Sequence, residues 1–399
     1  MKRGRLKMNK IRIGIIGAGI MGHTHAKSFK ENPKSEVVAI ADIVEEKAKN
    51  LANIINAKYY SNYEKMLKEE EIDAVVIATP DFLHKDPVII SAEYGKNLFI
   101  EKPFATTIED AKEMLNAIEK NKVKAMVNYS MRWNPLFVAS KIIMDEKYIG
   151  EPIFAHVVHN DRIDVPLEMW GGIKETWAKN TTIADFLMSH DVDAIRWICK
   201  KEAEKVYAVS CKKVLKFTPD GYQAIVSFKY NFNAIFEANW ILARSKPNLV
   251  DGFFNIYANK GTMNVQWHTM GFNVTSNRGM EISFNEEINL DDLIKIKNKL
   301  EEYGIVCRII WESDWSYQME NREIKEYSRV INIPLEAASP PRSPHKIKFY
   351  QGDPYEHFIE CLQKNIQPIC SAIDGYKQTQ IICAIKESAR DGKIIELTI

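Results

Sequence analysis

One short run, IADFLMSHDVDAIRW at 183–197, sets His190 among Asp185, Asp191 and Asp193. An imidazole titrates near neutrality, so His190 with a carboxylate behind it can take or return a proton. The same groups are also donor types of metal sites. Helix geometry separates the two readings. Phe186, Leu187, Ile195 and Ile198 supply one apolar side, and at about 100° per residue the three acids leave the helix in different directions. No metal is expected there. A proton carrier at His190 and an ordinary core or surface histidine both stay open on these residues alone, with Asp193, three residues on and on the same face, as a support for the helix or the imidazole. His23 and His25 form an H-x-H, but they fall in the first turns of a helix and are read as packing residues.

A second kind of chemistry is written near the start of the chain. IRIGIIGAGIMGHTHAKSF joins a β-branched strand to Gly17, Gly19 and Gly22 and then to a helix. This is the dinucleotide pattern. Gly17 permits a tight turn, Gly19 a close approach of backbone to pyrophosphate, and Gly22 close packing of helix on strand. Free N–H groups at the helix start, around Ile20 and Met21, then face the phosphates. Asp42 ends the next strand, EVVAIAD, at about the 20-residue spacing of the acid that meets the adenosine ribose hydroxyls. It would repel a 2′-phosphate, and Ile43-Val44 bring no cation, so NAD(H) is expected over NADP(H).

The elements that position these groups alternate strand and helix through the first 130 residues. KYY, DAVVIATP (73–80), LFIEKPFAT (98–106) and VKAMVNYSMRW read as strands separated by helices. Such a series predicts a doubly wound parallel sheet with ligands at the carboxyl ends of its strands. Asp42, Thr79, Pro80, His84, Glu101, Lys102, Pro103 and Asn128 fall at or just after those ends. Lys102 beside Glu101 is an ammonium suited to hold a substrate hydroxyl and exchange its proton.

Composition narrows the partners. With 54 Lys and Arg against 53 Asp and Glu, a net charge of +1 gives no electrostatic reason to expect nucleic acid or an anionic membrane. No apolar run has the length of a membrane span. The basic MKRGRLKMNK is followed by a strand and not by a signal sequence, Met8 reads as an alternative start, and six cysteines without C-x-x-C spacing read as reduced thiols. A cytoplasmic protein is expected.

GAGIMGHTHA, ATPDFLH and above all EKPFATT resemble the Gfo/Idh/MocA family of NAD(P)-dependent oxidoreductases, named for glucose-fructose oxidoreductase and inositol dehydrogenase. NYSMRWNP, SHDVDAIRWI and the closing ICSAIDGYKQTQIICAIKESARDGKIIEL are similar to later family segments. The resemblance implies α/β architecture: a Rossmann domain over 1–130, then an α+β domain over 131–399 with an open, mostly antiparallel sheet and a C-terminal helix packing back on the core. It implies that Lys102 and His190 meet the substrate hydroxyl near the nicotinamide, and that Pro103 follows a cis bond. It also implies a homodimer or homotetramer through the second sheet. Many members carry an aspartate four residues before this histidine; here Phe186 stands there, and Asp185 is displaced by about 100° on an α-helix.

The second half alternates with a period of two. PIFAHVVHND (152–161), VYAVSCKKV (206–214), YQAIVSFKYNFNAIFEANWIL (222–242) and FFNIYANKGTMNVQW (253–267) read as strands, with NFN and NKGT as turns. Residues 268–349 read as an insertion that covers the crevice or extends an interface, with a helix at LDDLIKIKNKLEEYGI, a tryptophan-rich IIWESDWSYQM and a loop, AASPPRSPHK. Arg132, Asn160 and Trp177 join Lys102 and His190 as candidates for binding a polyhydroxylated small molecule, the indole as a stacking surface. The expected reaction is hydride transfer at a secondary hydroxyl or ketone of a sugar, cyclitol or related polyol. An NAD-recycling glycosidase and a non-catalytic NAD and sugar sensor are the alternatives.

Overall fold

The computed structural model describes residues 10–169, 177–246, 249–267, 279–285, 288–311, 315–319, 322–326, 329–334 and 353–397. The chain forms two compact units, Met1–Tyr129 with Gly352–Cys383, and Ser130–Gln351 with Ala384–Ile399.

In the first unit six parallel strands, β1 (Ile11–Ile16), β2 (Ser35–Ala41), β3 (Lys58–Tyr60), β4 (Ala74–Ile77), β5 (Asn97–Ile100) and β6 (Ala125–Val127), lie in the order β3-β2-β1-β4-β5-β6. Strand order reverses between β1 and β4, the switch point at which such sheets bind ligands. All of β4 and β6 is buried, as strands covered on both faces must be. Helices α1 (Ile20–Glu31), α2 (Glu45–Ile55), α3 (Tyr63–Glu69), α4 (Lys85–Glu93) and α5 (Ile108–Lys120) alternate with the strands. Asn62 and Thr107 start α3 and α5 by accepting from the N–H groups of Lys65 and Asp110. The strand expected across VKAMVNYSMRW is shorter than its apolar run. β5 stops pairing at Ile100, so β6 loses its ladder after Val127, and Ser130–Trp133 is a 3₁₀ turn.

The second unit is built on ten strands: β7 (Pro152–Asp161), β8 (Ala203–Cys211), β9 (Gly221–Phe228), β10 (Phe232–Asn239), β11 (Val250–Ala258), β12 (Gly261–Trp267), β13 (Gly279–Phe284), β14 (Arg308–Trp311), β17 (Arg329–Pro334) and β18 (Ile395–Glu396). A separate hairpin joins β15 (Trp315–Met319) to β16 (Arg322–Glu326). The ten-stranded order is β14-β17-β13-β12-β11-β7-β10-β9-β8-β18, antiparallel except for the β7–β10 pair. Alternation sets its faces: Tyr222, Ala224, Val226 and Phe228 of β9 point inward, and Gln223, Ile225 and Ser227 outward.

Two sequence expectations change, and the insertion takes a definite place. The turn before β10 is not NFN: Tyr230 and Asn231 take it at φ 66° and 57°, and Phe232 is a wholly buried strand residue. Both turn positions then need the left-handed conformation that hairpins of this twist prefer. β8 begins at Ala203 and ends at Cys211, because Asp220 gathers the N–H groups of Lys213, Val214 and Leu215 into a turn. The described part of the insertion is not separate from the sheet. β13 pairs with β12, and β17 with both β13 and β14, extending the sheet's edge, while the helix Leu290–Glu302 buries Leu293, Ile296 and Leu300. AASPPRSPHK and the first nine residues lie outside the described residues. Among the described residues no helix is long and apolar enough to cross a membrane.

The relocated turn is testable. Phe232→Ala is expected to lower stability by about 3–5 kcal/mol, since it empties a core position. Asn231→Gly is expected to be neutral or to stabilise by a few tenths of a kcal/mol, because glycine takes positive φ without strain. Urea unfolding of both variants decides it; a tolerated Phe232→Ala would return that residue to the turn.

Candidate active site

The end of β1 delivers the glycine turn. A Cβ on Gly17, at φ +103°, would lie 2.4 Å from the Ala78 carbonyl oxygen, and one on Gly22 would lie 2.0 Å from that of Gly17. These two glycines are required by the chain's own packing. Gly19 is different: a Cβ there meets no heavy atom within 4 Å. Nothing in the protein demands a bare backbone at this position, but a phosphate seated on the N-terminus of α1 would. Asp42 faces the same turn. Its two oxygens accept from the N–H groups of Ala18 and Val44, each at 2.8 Å. A carboxylate oxygen has a second lone pair, so both can still accept from a ribose diol. The cradle therefore fits the nucleotide half of NAD.

The loop after β5 is clamped from several elements and presents one side chain. Within Glu101–Ala105 only Lys102 is not buried. The Lys102–Pro103 bond is cis, as the resemblance implied. His84 sits with Nδ1 3.0 Å from the carbonyl oxygen of Pro103 and Nε2 3.1 Å from that of Thr79, joining the ends of β4 and β5. Gly375 lies against Phe104, where a Cβ would come within 2.7 Å of that ring. Glu101 turns inward: Oε1 accepts from Asn128 Nδ2 at 2.7 Å and pairs with His25 Nε2 at 2.7 Å, and Oε2 accepts the Lys102 N–H at 3.1 Å. Burial alone would raise the Glu101 carboxyl. The His25 hydrogen bond and charge, with Asn128 and Lys102, outweigh that and hold it below the usual range. Thus His84, Glu101 and Asn128, expected to meet cofactor, spend polar atoms on building the loop, although the buried Oδ1 of Asn128 has no hydrogen-bond partner among the described residues.

In the second unit the acids of the opening run each reach a different element. Asp185 pairs with Lys386 Nζ at 2.6 Å and accepts from Thr182 Oγ1 at 2.6 Å. Asp191 meets His159 Nδ1 of β7 at 3.0 Å. Asp193 takes Nε and Nη2 of Arg132 at 2.9 and 2.6 Å, a pair with side-chain exposures of 0% and 3%. The helix Ser189–Cys199, which carries a half-buried His190, is thereby tied by two pairs of its own, and the turn before it by a third. Arg132, expected at the substrate, is held by this buried pair. Asn160 likewise accepts from the Asn239 N–H at 2.8 Å and donates to Glu237 at 3.4 Å.

The turn ahead of His190 is not α-helical: Ala184–Met188 is a π-helix, with the Ser189 N–H reaching the Ala184 carbonyl. Phe186 turns to an aromatic group, with ring centroids 4.9 Å from Trp177 and 6.1 Å from Trp240. His25, His159 and Lys386 were not singled out for these ties. No spacing along the chain announces pairs formed 32 or 201 residues apart. Among the described residues no group of His, Cys, Asp and Glu could hold a metal ion.

Comparison with known proteins agrees with this geometry. Residues 11–129 match the family described as "Oxidoreductase family, NAD-binding Rossmann fold", and 137–264 match the "GFO/IDH/MocA C-terminal domain". The chain belongs to the Gfo/Idh/MocA family. An uncharacterized oxidoreductase of Streptococcus pneumoniae is 31% identical over 166 residues, 41% of this chain and 45% of that protein. An inositol 2-dehydrogenase of Acidothermus cellulolyticus is 29% identical over 216 residues, 53% of this chain and 60% of its own. The match thus spans about half the length of these Gfo/Idh/MocA relatives. A scyllo-inositol dehydrogenase from Lactobacillus casei, solved with NAD(H) and scyllo-inositol, shares the fold over 97% of this chain and 99% of its own, with a TM-score of 0.69 and 18% identity.

The two kinds of glycine predict opposite behaviour. Gly19→Ala is expected to fold with a melting temperature within about 2 °C of wild type while NADH affinity falls at least about tenfold, or 1.4 kcal/mol. Gly22→Ala, which meets backbone, is expected to lose both stability and binding. Thermal melts and NADH fluorescence titrations separate them, and full affinity in Gly19→Ala would remove the phosphate from this site.

Proposed function

We propose that this protein is an NAD-dependent oxidoreductase acting between a secondary hydroxyl and the ketone of a sugar, cyclitol or related polyol. The observation that carries the reading is Lys102, the one side chain presented by a buried, clamped loop at the end of β5 in an NAD-binding Rossmann domain. Inositol dehydrogenases among the relatives favour the polyol class. Bound NAD would supply the hydride acceptor. Gly17, Gly19, Ile20, Met21 and Gly22 would hold its phosphates, Asp42 its ribose, and Thr79, Pro80 and Asn128 would line the route toward the nicotinamide.

Lys102 donates to the reacting hydroxyl and holds the alkoxide that develops as its carbon is oxidised. His190 in its neutral form accepts the proton. Trp177 offers an apolar surface to the carbon-bound hydrogens of the ring. Asp42 disfavours a 2′-phosphate, which makes NAD(H) the working cofactor.

The expected result is reduction of NAD by at least one member of a panel of inositols, aldoses and ketoses. Lys102→Ala and His190→Ala are each expected to lower kcat by about 10² or more while leaving NADH affinity within about threefold. Full activity in Lys102→Ala refutes the assignment. Release of a glycoside's leaving group without net NADH would move the reading to the glycosidase alternative.

The outer face of the large sheet supports a homo-oligomer. Tyr207, Ile225 and Ile235 stand opposite one another on β8, β9 and β10, exposed by 44, 50 and 43%, and Phe154 pairs with Tyr257. Such a row on an open sheet marks an interaction surface. A dimer or tetramer is expected by light scattering, and Ile225→Lys with Ile235→Lys is expected to yield folded monomers. An oligomer that survives both lysines would place the interface elsewhere.

A further inference from the structure

We propose that His25 is a positioning residue for Lys102. With Glu101 and Tyr355 it forms a polar latch that ties α1, the helix at the phosphate cradle, to the loop that presents the lysine. The role inferred for Lys102 is that of the preceding subsection; the latch itself stands on geometry alone.

His25 lies on α1, just past the glycine turn, and has no solvent exposure. Its Nε2 is 2.7 Å from Glu101 Oε1, and its Nδ1 is 3.1 Å from the hydroxyl of Tyr355, in the helix Pro354–Lys364. Partners on opposite ring nitrogens leave the imidazole one orientation. Glu101 passes the constraint on, because its other oxygen accepts the N–H of Lys102, the peptide from which the lysine side chain departs. Two consecutive contacts thus run from the nucleotide helix to the backbone of the proposed active lysine.

The surroundings argue against simple space filling. Phe29, Phe99, Tyr355 and Phe358 form an edge-and-stack cluster around the imidazole, with His25 to Phe99 at 5.3 Å and Phe99 to Tyr355 at 5.6 Å. An apolar residue would suit that shell. What the polar contacts add is direction: the hydrogen bond between His25 Nδ1 and the Tyr355 hydroxyl, at 3.1 Å, sets the ring, and the ring holds Nε2 2.7 Å from Glu101 Oε1, which apolar contact does not specify.

Hydrogen exchange of the full chain saturated with NADH, read by mass spectrometry, tests the latch without relying on turnover. In the double variant His25→Leu with Glu101→Gln, which removes the polar contact without leaving a lone buried charge, residues 98–106 are expected to exchange at least about tenfold faster, with β1 and β2 unchanged. NADH affinity should stay within about threefold, while kcat falls at least about thirtyfold and KM moves less than about threefold. His25→Gln, whose amide can still donate to Glu101, should recover much of the protection. Unchanged exchange over 98–106 overturns the latch whatever the turnover, and equal losses in His25→Gln and His25→Leu overturn it in favour of packing. Should the double variant fail to fold, Tyr355→Phe, which deletes a single hydroxyl, decides: about two- to fivefold faster exchange supports the latch, and none overturns it. Absence of polyol turnover in the wild type sinks the functional reading alone, because the exchange result stands apart from it.

Discussion

A carboxylate sealed from water must be answered from inside the protein, and the first unit is arranged around one such answer. Glu101 sits where β5 ends, at the edge of the crevice outside the sheet. Keeping it ionised takes an imidazole from α1, an amide from the end of β6 and the peptide of its own neighbour. Each partner comes from a different element, so satisfying the charge also fixes how those elements meet. The short side chains of the glycine turn permit α1 to approach closely enough for His25 to reach. The cradle and the lysine loop are therefore two readouts of the same packing.

The second unit solves a related problem with a different tactic. The His190 helix and the turn before it carry three acids, and each is met by a cation or imidazole from elsewhere: Lys386, His159 and Arg132. A helix held by apolar contact alone can slide or rotate at modest cost, whereas three directional pairs specify one azimuth. The π turn that precedes it carries Asp185 and leaves Phe186 to an aromatic cluster.

Much of this was legible in the sequence, and what was not has physical reasons. Local patterns carried the parallel sheet, the glycine cradle, Asp42 and the alternating strands, because each depends on neighbours within a few residues. β7 is read with its observed bounds, since a strand with alternating faces announces itself. Phe232 was misplaced because asparagine-rich turns look alike until the ladder says which pair takes positive φ. The inward orientation of Glu101, Arg132 and Asn160 was invisible, since a polar side chain near a crevice looks like a ligand contact until its partner is known. His25 shows the limit most sharply: a histidine in a helical pattern reads as packing, and only Glu101 and Tyr355, far along the chain, give it a task.

The first unit is discontinuous in sequence, closing only with Gly352–Cys383. That has a consequence for how the protein is made. During synthesis the nucleotide domain emerges early, but Tyr355, Gly375 and Phe358 do not yet exist, and the faces of Phe99 and Phe104 they cover stay open. At about 5–20 residues per second the interval lasts roughly ten to fifty seconds. Over that time the nascent chain holds a nearly complete parallel sheet with an aromatic flank bare to solvent, a state suited to chaperone binding and prone to self-association. The segment Gly352–Cys383 thus serves as the closing piece of a unit whose larger part, Met1–Tyr129, is translated well before it.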